Sequence, residues 1–406
     1  MCIRDSPETD RLKFEAKHLL LFGRTKEDLR FEDQNWWIKQ VQQLLNFYLE
    51  AQFKVNEGEK IDFKNFRTDL SSEGEKQDGV QNLDTVSRLI YGFASAYMMT
   101  GDERALEAAT NGTEYMQRHF RHQNKSEGIC YWYSQIDIQG DGSVRKYMGS
   151  TAGGDEGGNA IPCYEQIYAL AGPTQTWRII GGNDIKEDID DTISFLNRYY
   201  KDHGPNGGYY SHIDPVTFDA HAESLGVNKA KKNWNSVGDH APAYLINLYL
   251  ATGDENYGRF LEDTFDTICD HFPDYGYSPF MNEKFFDDWS HDLKWGIHQA
   301  RCVVGHNLKV AWNLTRMHSL MPKESYKTFA HQIADAIPAA GCDNQRGGWY
   351  DMMERTLKDG EENYRRVWHD RKAWWQQEQG ILAYYIMAGV YNDKPEYLNY
   401  AREGSA

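Results

Sequence analysis

The feature that most constrains this chain is a turn that keeps returning. Thr-Gly-Asp-Glu at 100–103, Gly-Gly-Asn-Asp at 181–184, Thr-Gly-Asp-Glu at 252–255, Met-Pro-Lys-Glu at 321–324 and Asn-Asp-Lys-Pro at 392–395 each follow an apolar helical run. With 101, 182, 253, 322 and 393 as markers, the steps are 81, 71, 69 and 71 residues. Each turn puts a Gly or Pro where a helix must stop, and most put an acidic residue where the next one starts. A fixed period of this length signals a repeated supersecondary unit.

The segments on either side of the turns differ in kind. Those before them are apolar: TVSRLIYGFASAYMM, CYEQIYALAGPTQTWRII with its proline interruption, DHAPAYLINLYLA, CVVGHNLKVAWNLTRMHSL and WWQQEQGILAYYIMAGV. Those after them are more polar and end in aromatics, as in DERALEAATNGTEYMQRHF. Each repeat therefore reads as a buried inner helix, a tight turn and an outer helix. Five pairs and an earlier helix around 35–53 make eleven. A toroid of six hairpins closes only when the last meets the first, because each repeat buries its faces on its neighbours. The expected architecture is an all-α (α/α)6 barrel over 35–406, with a twelfth helix beyond Ala406 packing beside the first. Residues 1–34 read as a partly irregular extension, and the first six, MCIRDS, enter no fold argument. Three Gly-rich stretches, CYWYSQIDIQGDGSVRKYMG, GGYYSHIDPVTFDA and GGWYDMMERTLKDG, read as β-hairpins that cap one end.

Composition narrows the function. A net charge of −17 with scattered Lys and Arg offers phosphates no basic face, so nucleic acid is an unsuitable partner. No run of about 18 apolar residues is present, so no membrane span is expected. The start lacks the apolar core of a signal peptide. The six cysteines lie far apart with no metal-binding spacing, which points to free thiols in a cytoplasm and to no metal. The Gly-rich loop at 150–160 lacks the strand–helix context of a phosphate cradle. The 26 Tyr, 12 Trp and 18 Phe suit either a thick core or flat surfaces for sugars to stack on.

Distances from the turn markers bring polar residues to one level. Arg88 and His240 each lie 13 residues before their marker, His306 lies 16 before and Gln379 lies 14 before. At 1.5 Å per residue that is about one helix length, so they share the starting end of the inner helices. The run GHNLKVAWNLTR (305–316) is predicted to be a helix. Val304, Leu308, Ala311, Trp312 and Thr315 form its buried face, and His306, Lys309, Asn313 and Arg316 its polar face. If the inner helices are parallel, Arg88, His240, His306, Trp374 and Trp375 converge on one funnel.

Four segments resemble the N-acylglucosamine 2-epimerase and cellobiose 2-epimerase superfamily over roughly 35–403. SRLIYGFASAY (87–97) is similar to SRxxWxFxxAY, DHAPAYLINLYLATGD (239–254) to xHxxEAxxxLYxxTGD, and VGHNLKVAWNL (304–314) to xGHxxExxWLL. GGWYD…AWWQQEQGILAYY (347–385) is similar to GGLY…WWxQAEAxxxxxN. The resemblance implies an (α/α)6 barrel and a cofactor-free enzyme that inverts C2 of a reducing sugar or isomerises aldose to ketose. It places His306 as a catalytic histidine, with His240 and Arg88 holding the sugar and its enediolate. Trp374 and Trp375 become stacking platforms, and Lys309, Glu378, Gln379 and Asn235 complete the sugar-binding set. Two positions depart from the family: Lys309 and Gln379 stand where it has Glu. Its second catalytic histidine lies in a later YHxxR segment that this chain does not reach. The implied partner is a small-molecule sugar, with a homodimer as an admissible assembly.

Two other readings stay open. A glycoside hydrolase or lyase on the same toroid needs two carboxylates, for which Asp155, Glu156, Asp239, Asp287 and Glu378 are candidates. A sugar-binding paralogue without catalysis is suggested by Lys309 and Gln379.

Overall fold

The Thr-Gly-Asp turns do the work their chemistry suggests. In the computed structural model, α1 spans Trp36–Phe53, α2 Leu83–Thr100 and α3 Glu103–His119. Gly101 ends α2 with a φ of 70°, a left-handed conformation that costs glycine nothing, and its N–H donates to the Tyr97 carbonyl. Asp102 then caps α3 by accepting from the Arg104 N–H. The same turn recurs at Gly253, with φ 65°, and Asp254, which accepts from the Asn256 N–H. The structure describes residues 2–4, 13–15, 30–33, 35–55, 60–77, 79–149, 160–296, 301–367 and 370–405.

The remaining helices are α4 (Cys163–Ala169), α5 (Ala171–Ile180), α6 (Asn183–Tyr199), α7 (Trp234–Val237), α8 (Ile246–Thr252), α9 (Glu255–His271), α10 (Val304–Leu320), α11 (Glu324–Gly341), α12 (Trp374–Val390) and α13 (Pro395–Ser405). Two inner helices are broken near a proline. Leu170 separates α4 from α5, whose first turn holds Pro173. A π-helical turn over Ala241–Leu245, with Pro242 at its start, links α7 to α8. Proline has no N–H to give to the preceding turn, so the ladder shifts at each place. Counted as single rods, α4–α5 and α7–α8 bring the described helices to eleven rods, as the turn spacing predicts. The expected twelfth lies outside the described residues.

The rods alternate between two layers. Inner α10 buries eleven residues distributed around its axis, including Asn307 and Asn313. Outer α9 buries Gly258, Leu261, Thr264, Phe265 and Ile268, one stripe at helical spacing. The fold is an α/α barrel. The supposed polar face of 305–316 is corrected by this layering: Asn313 is fully buried and donates to the Lys309 carbonyl, because an inner helix has neighbours all round.

Short strands tie the starting ends of the inner helices together. Val80–Asn82 leads into α2 and pairs with Gln135–Ile138. Ile161–Pro162 leads into α4 and pairs with His212–Ile213. Lys231–Asn233 leads into α7 and pairs with Lys284–Phe286, and Arg301–Val303 leads into α10 and pairs with Met352–Glu354. Of the three expected hairpins, the first forms, with Gln135–Ile138 folding onto Val144–Tyr147. In the second, His212–Ile213 pairs with the residues that launch α4, and in the third Met352–Glu354 pairs with those that launch α10 while Met353 also bridges to Arg366 across a return of the chain. Among the described residues, no helix is long and apolar enough to cross a membrane.

Candidate active site

Because each inner helix starts at the strand-tied end, their first turns surround one cavity of about 900 Å³. Arg88 and Tyr91 reach it from α2, Tyr164 and Tyr168 from α4, Asn235 and Asp239 from the α7 rod, His306, Lys309 and Trp312 from α10, and Trp374, Trp375, Glu378 and Gln379 from α12. Residues from five repeats, separated by up to about 290 positions, thus share one wall.

His306 is oriented by a carboxylate. Its Nδ1 lies 2.7 Å from Oε2 of Glu283, which is 6% exposed. Nδ1–H donates to the Glu283 carboxylate, which leaves the Nε2 lone pair for a ligand. No other hydrogen bond to the ring forms among the described residues. Trp375 packs against the imidazole with centroids 5.2 Å apart. Gly305 permits that approach: a Cβ there would sit 2.5 Å from the Trp375 ring and 2.6 Å from the Gln376 side chain. The Gly305 N–H donates to Gln376 Oε1 at 2.6 Å, which locks α10 to α12.

Opposite charges are paired around Tyr168. Lys309 Nζ forms an ion pair with Asp239 and donates to the Tyr168 hydroxyl at 2.8 Å. Burial works against the Lys309 charge, but Asp239 and Tyr168 outweigh it and raise its pKa above the ordinary lysine value. Lys309 therefore stays a cation and is no amine nucleophile. The Arg88 guanidinium lies 4.0 Å from the centroid of the Tyr168 ring, pairs with Asp84 at 2.7 Å and donates to the Tyr164 hydroxyl. Burial pushes the Tyr164 phenol up, with Arg88 as a smaller opposing influence.

The α12 wall is mixed. Trp374, the first residue of the helix, is 73% exposed, while Trp375 is half-buried against His306. Gln379 accepts from the Trp312 indole at 2.8 Å. Glu378 faces the cavity without a hydrogen-bond partner among the described residues, and desolvation pushes its pKa up. Asp351 accepts from the Ala373 N–H, capping the start of α12. Asn235 lines the cavity one helical turn before Asp239. Among the described residues, no group of three or more His, Cys, Asp or Glu is arranged to hold a metal.

His240 does not join this set. It is fully buried, its Nδ1 lies 2.8 Å from the Tyr244 hydroxyl, and its ring packs on Tyr209 and Phe260. Burial lowers its pKa to about 3, so it is neutral, and its Nε2 has no partner. The reason is helical register. Residues 235, 239, 242 and 243 point to the cavity, and position 240 is turned by about 100° into the core. Of the carboxylates considered for a hydrolase, Asp239 is tied to Lys309. Asp287 lies off the cavity, bound by Tyr210 at 2.8 Å. Asp155 and Glu156, with most of the 150–160 loop, lie outside the described residues. Glu283, Tyr164, Tyr168 and Asp351 escaped the sequence reading. Aromatics at i and i+4 (164 and 168) opening an inner helix are the signal that would have found two of them.

No family model matches the sequence, and no curated protein matches it. Solved structures do match in fold. A D-mannose isomerase superposes with a TM-score of 0.70 at 17% identity, covering 92% of this chain and 85% of that one. Cellobiose 2-epimerase from Spirochaeta thermophila DSM 6192 gives 0.68 at 16%, covering 93% and 84%. A GH76 α-mannanase from Bacteroides thetaiotaomicron gives 0.54 at 12%, covering 92% and 83%. At these identities, the likeness establishes the fold.

Proposed function

We propose that this chain is a cofactor-independent sugar isomerase or epimerase that works at C2 of a reducing sugar, with His306 as its acid/base. The observation that carries this reading is the Glu283–His306 pair presenting an unengaged Nε2 to a large cavity rimmed by cations and indoles. The proton on C2 is acidic because the C1 carbonyl accepts the electron pair left behind. His306 Nε2 takes that proton, and Glu283 stabilises the imidazolium that results. Arg88, a cation held in place before the sugar arrives, stabilises the negative charge of the enediolate. Trp374 and Trp375 offer flat faces to the sugar ring. Returning the proton to C1 gives a ketose, and protonation of the other face of C2 by a second group gives the epimer.

The α-mannanase fold match keeps hydrolysis as the competing reading. Glycoside cleavage needs an acid and a second free carboxylate. Glu378 suits the first role, but Asp239 is neutralised by Lys309 and Asp351 is engaged at the start of α12. Incubation in D2O with mannose, N-acetylmannosamine and cellobiose tests the proposal. Deuterium at C2 or C1 is the expected result. Release of reducing ends from a mannan with no deuterium in any of the three sugars overturns it.

A further inference from the structure

Resting on the isomerase reading, the geometry points to a second proton relay in the cavity: the Tyr168 hydroxyl, held by Lys309, exchanges protons with the sugar oxygens while His306 exchanges them with carbon. Three observations carry this. The Tyr168 oxygen accepts from Lys309 Nζ at 2.8 Å, and Lys309 is anchored on the other side by Asp239, which is 1% exposed. With that lone pair engaged, the phenolic hydrogen has no acceptor among the described residues, and Tyr168 lines the same cavity as His306. The Arg88 guanidinium stacks at 4.0 Å from the ring, so a phenolate at this position meets two cations.

The step balances without an added reagent. His306 removes the C2 proton while Tyr168 gives its proton to O1, converting the aldose C1 carbonyl into an enediol. The O2 proton then passes to the Tyr168 phenolate as the C2=O2 bond forms, and His306 returns its proton to C1. One carbon base and one oxygen relay move hydrogen between adjacent atoms on the same side of the enediol, so the product is the ketose. Lys309 and Asp239 are positioning residues here. They aim the hydroxyl and hold a countercharge but touch no reacting atom. The array takes an open-chain aldose with free O1 and O2, and rejects sugars blocked at either oxygen.

The test compares five variants with the parent on one sugar that the parent chain converts. Tyr168→Phe is expected to lower kcat about 100-fold with KM within about threefold. Tyr164→Phe is expected to lower it less than tenfold, because that hydroxyl serves Arg88. Lys309→Met is expected to lower kcat more than tenfold and move the alkaline limb of the pH–rate profile upward, with Lys309→Arg restoring part of both. As a probe that leaves packing nearly intact, 3,5-difluorotyrosine at position 168 is expected to move the alkaline limb downward. A Tyr168→Phe protein within threefold of the parent, or an unmoved limb in the fluorinated protein, overturns the relay while leaving the isomerase reading standing. A parent chain that exchanges no deuterium into any reducing sugar overturns both.

Discussion

Two histidines begin two neighbouring inner rods, and the structure gives them opposite fates. His306 sits at the cavity wall, 17% exposed, with a carboxylate 2.7 Å from Nδ1. His240 is sealed among Tyr209, Tyr244 and Phe260 with one nitrogen unpaired. The difference lies in what each ring can do with a proton. His306 has Glu283 to balance an imidazolium. His240 has nothing, so burial holds it neutral down to about pH 3. A histidine becomes an acid/base through the charge that stands behind it. Its place at the start of an inner helix, which both share, is not enough.

The sharpest break of this comparison is His306→Gln. It is expected to lower kcat by about 10³-fold or more, read as isomerisation or C2 exchange, with little change in melting temperature. Next is Glu283→Gln, which keeps the hydrogen bond but removes the countercharge; a loss of about 10²-fold in kcat is expected. If Glu283→Gln were silent, the pairing would be structural only. The reverse experiment is His240→Phe, which is expected to leave kcat within about threefold.

His240→Phe is also expected to change acid stability. The folded pKa of His240 is depressed below the ordinary 6.5, so the unfolded chain binds the extra proton. The contribution of His240 to stability is therefore complete above about pH 6.5 and is lost as pH falls toward 3, on the order of 4 kcal/mol across that window. His240→Phe should flatten the decline in urea midpoint between pH 6.5 and 4; buried His212, lowered to about 4, and the lowered His119, His271, His291 and His331 contribute to the part that remains. The smallest expected effect is Asp254→Ala, which removes a helix cap far from the cavity. A loss of about 1 kcal/mol in denaturant stability with unchanged kcat is the expected outcome.

The sequence carried the layered helices because their punctuation is local. Gly101 with Asp102, and Gly253 with Asp254, encode a stop and a start within two residues. Strand pairing was hidden because Ile161 meets Ile213 and Cys302 meets Met353, about 50 residues apart, and nothing in either stretch names its partner. The level of the candidate site was readable from helix length, but its register was not. Inner rods are packed against neighbours on most sides, so periodicity does not tell which side of 239–240 faces the hollow, and the π-helical turn at Ala241–Leu245 shifts the phase further. Lys309 looked like a departure from a family pattern. In the structure it belongs to a set of its own with Asp239 and Tyr168, three residues on three rods that no single segment could reveal.

The Thr-Gly-Asp turns lie a full helix length from the strand-tied rim, and each is completed by its own backbone, its threonine hydroxyl and its aspartate. The barrel therefore has an end that can be cut, relinked or extended without touching the hollow. New termini opened between Gly253 and Asp254, or a reporter domain inserted at Gly101, would leave the opposite rim intact, making these corners natural handles for rewiring the chain.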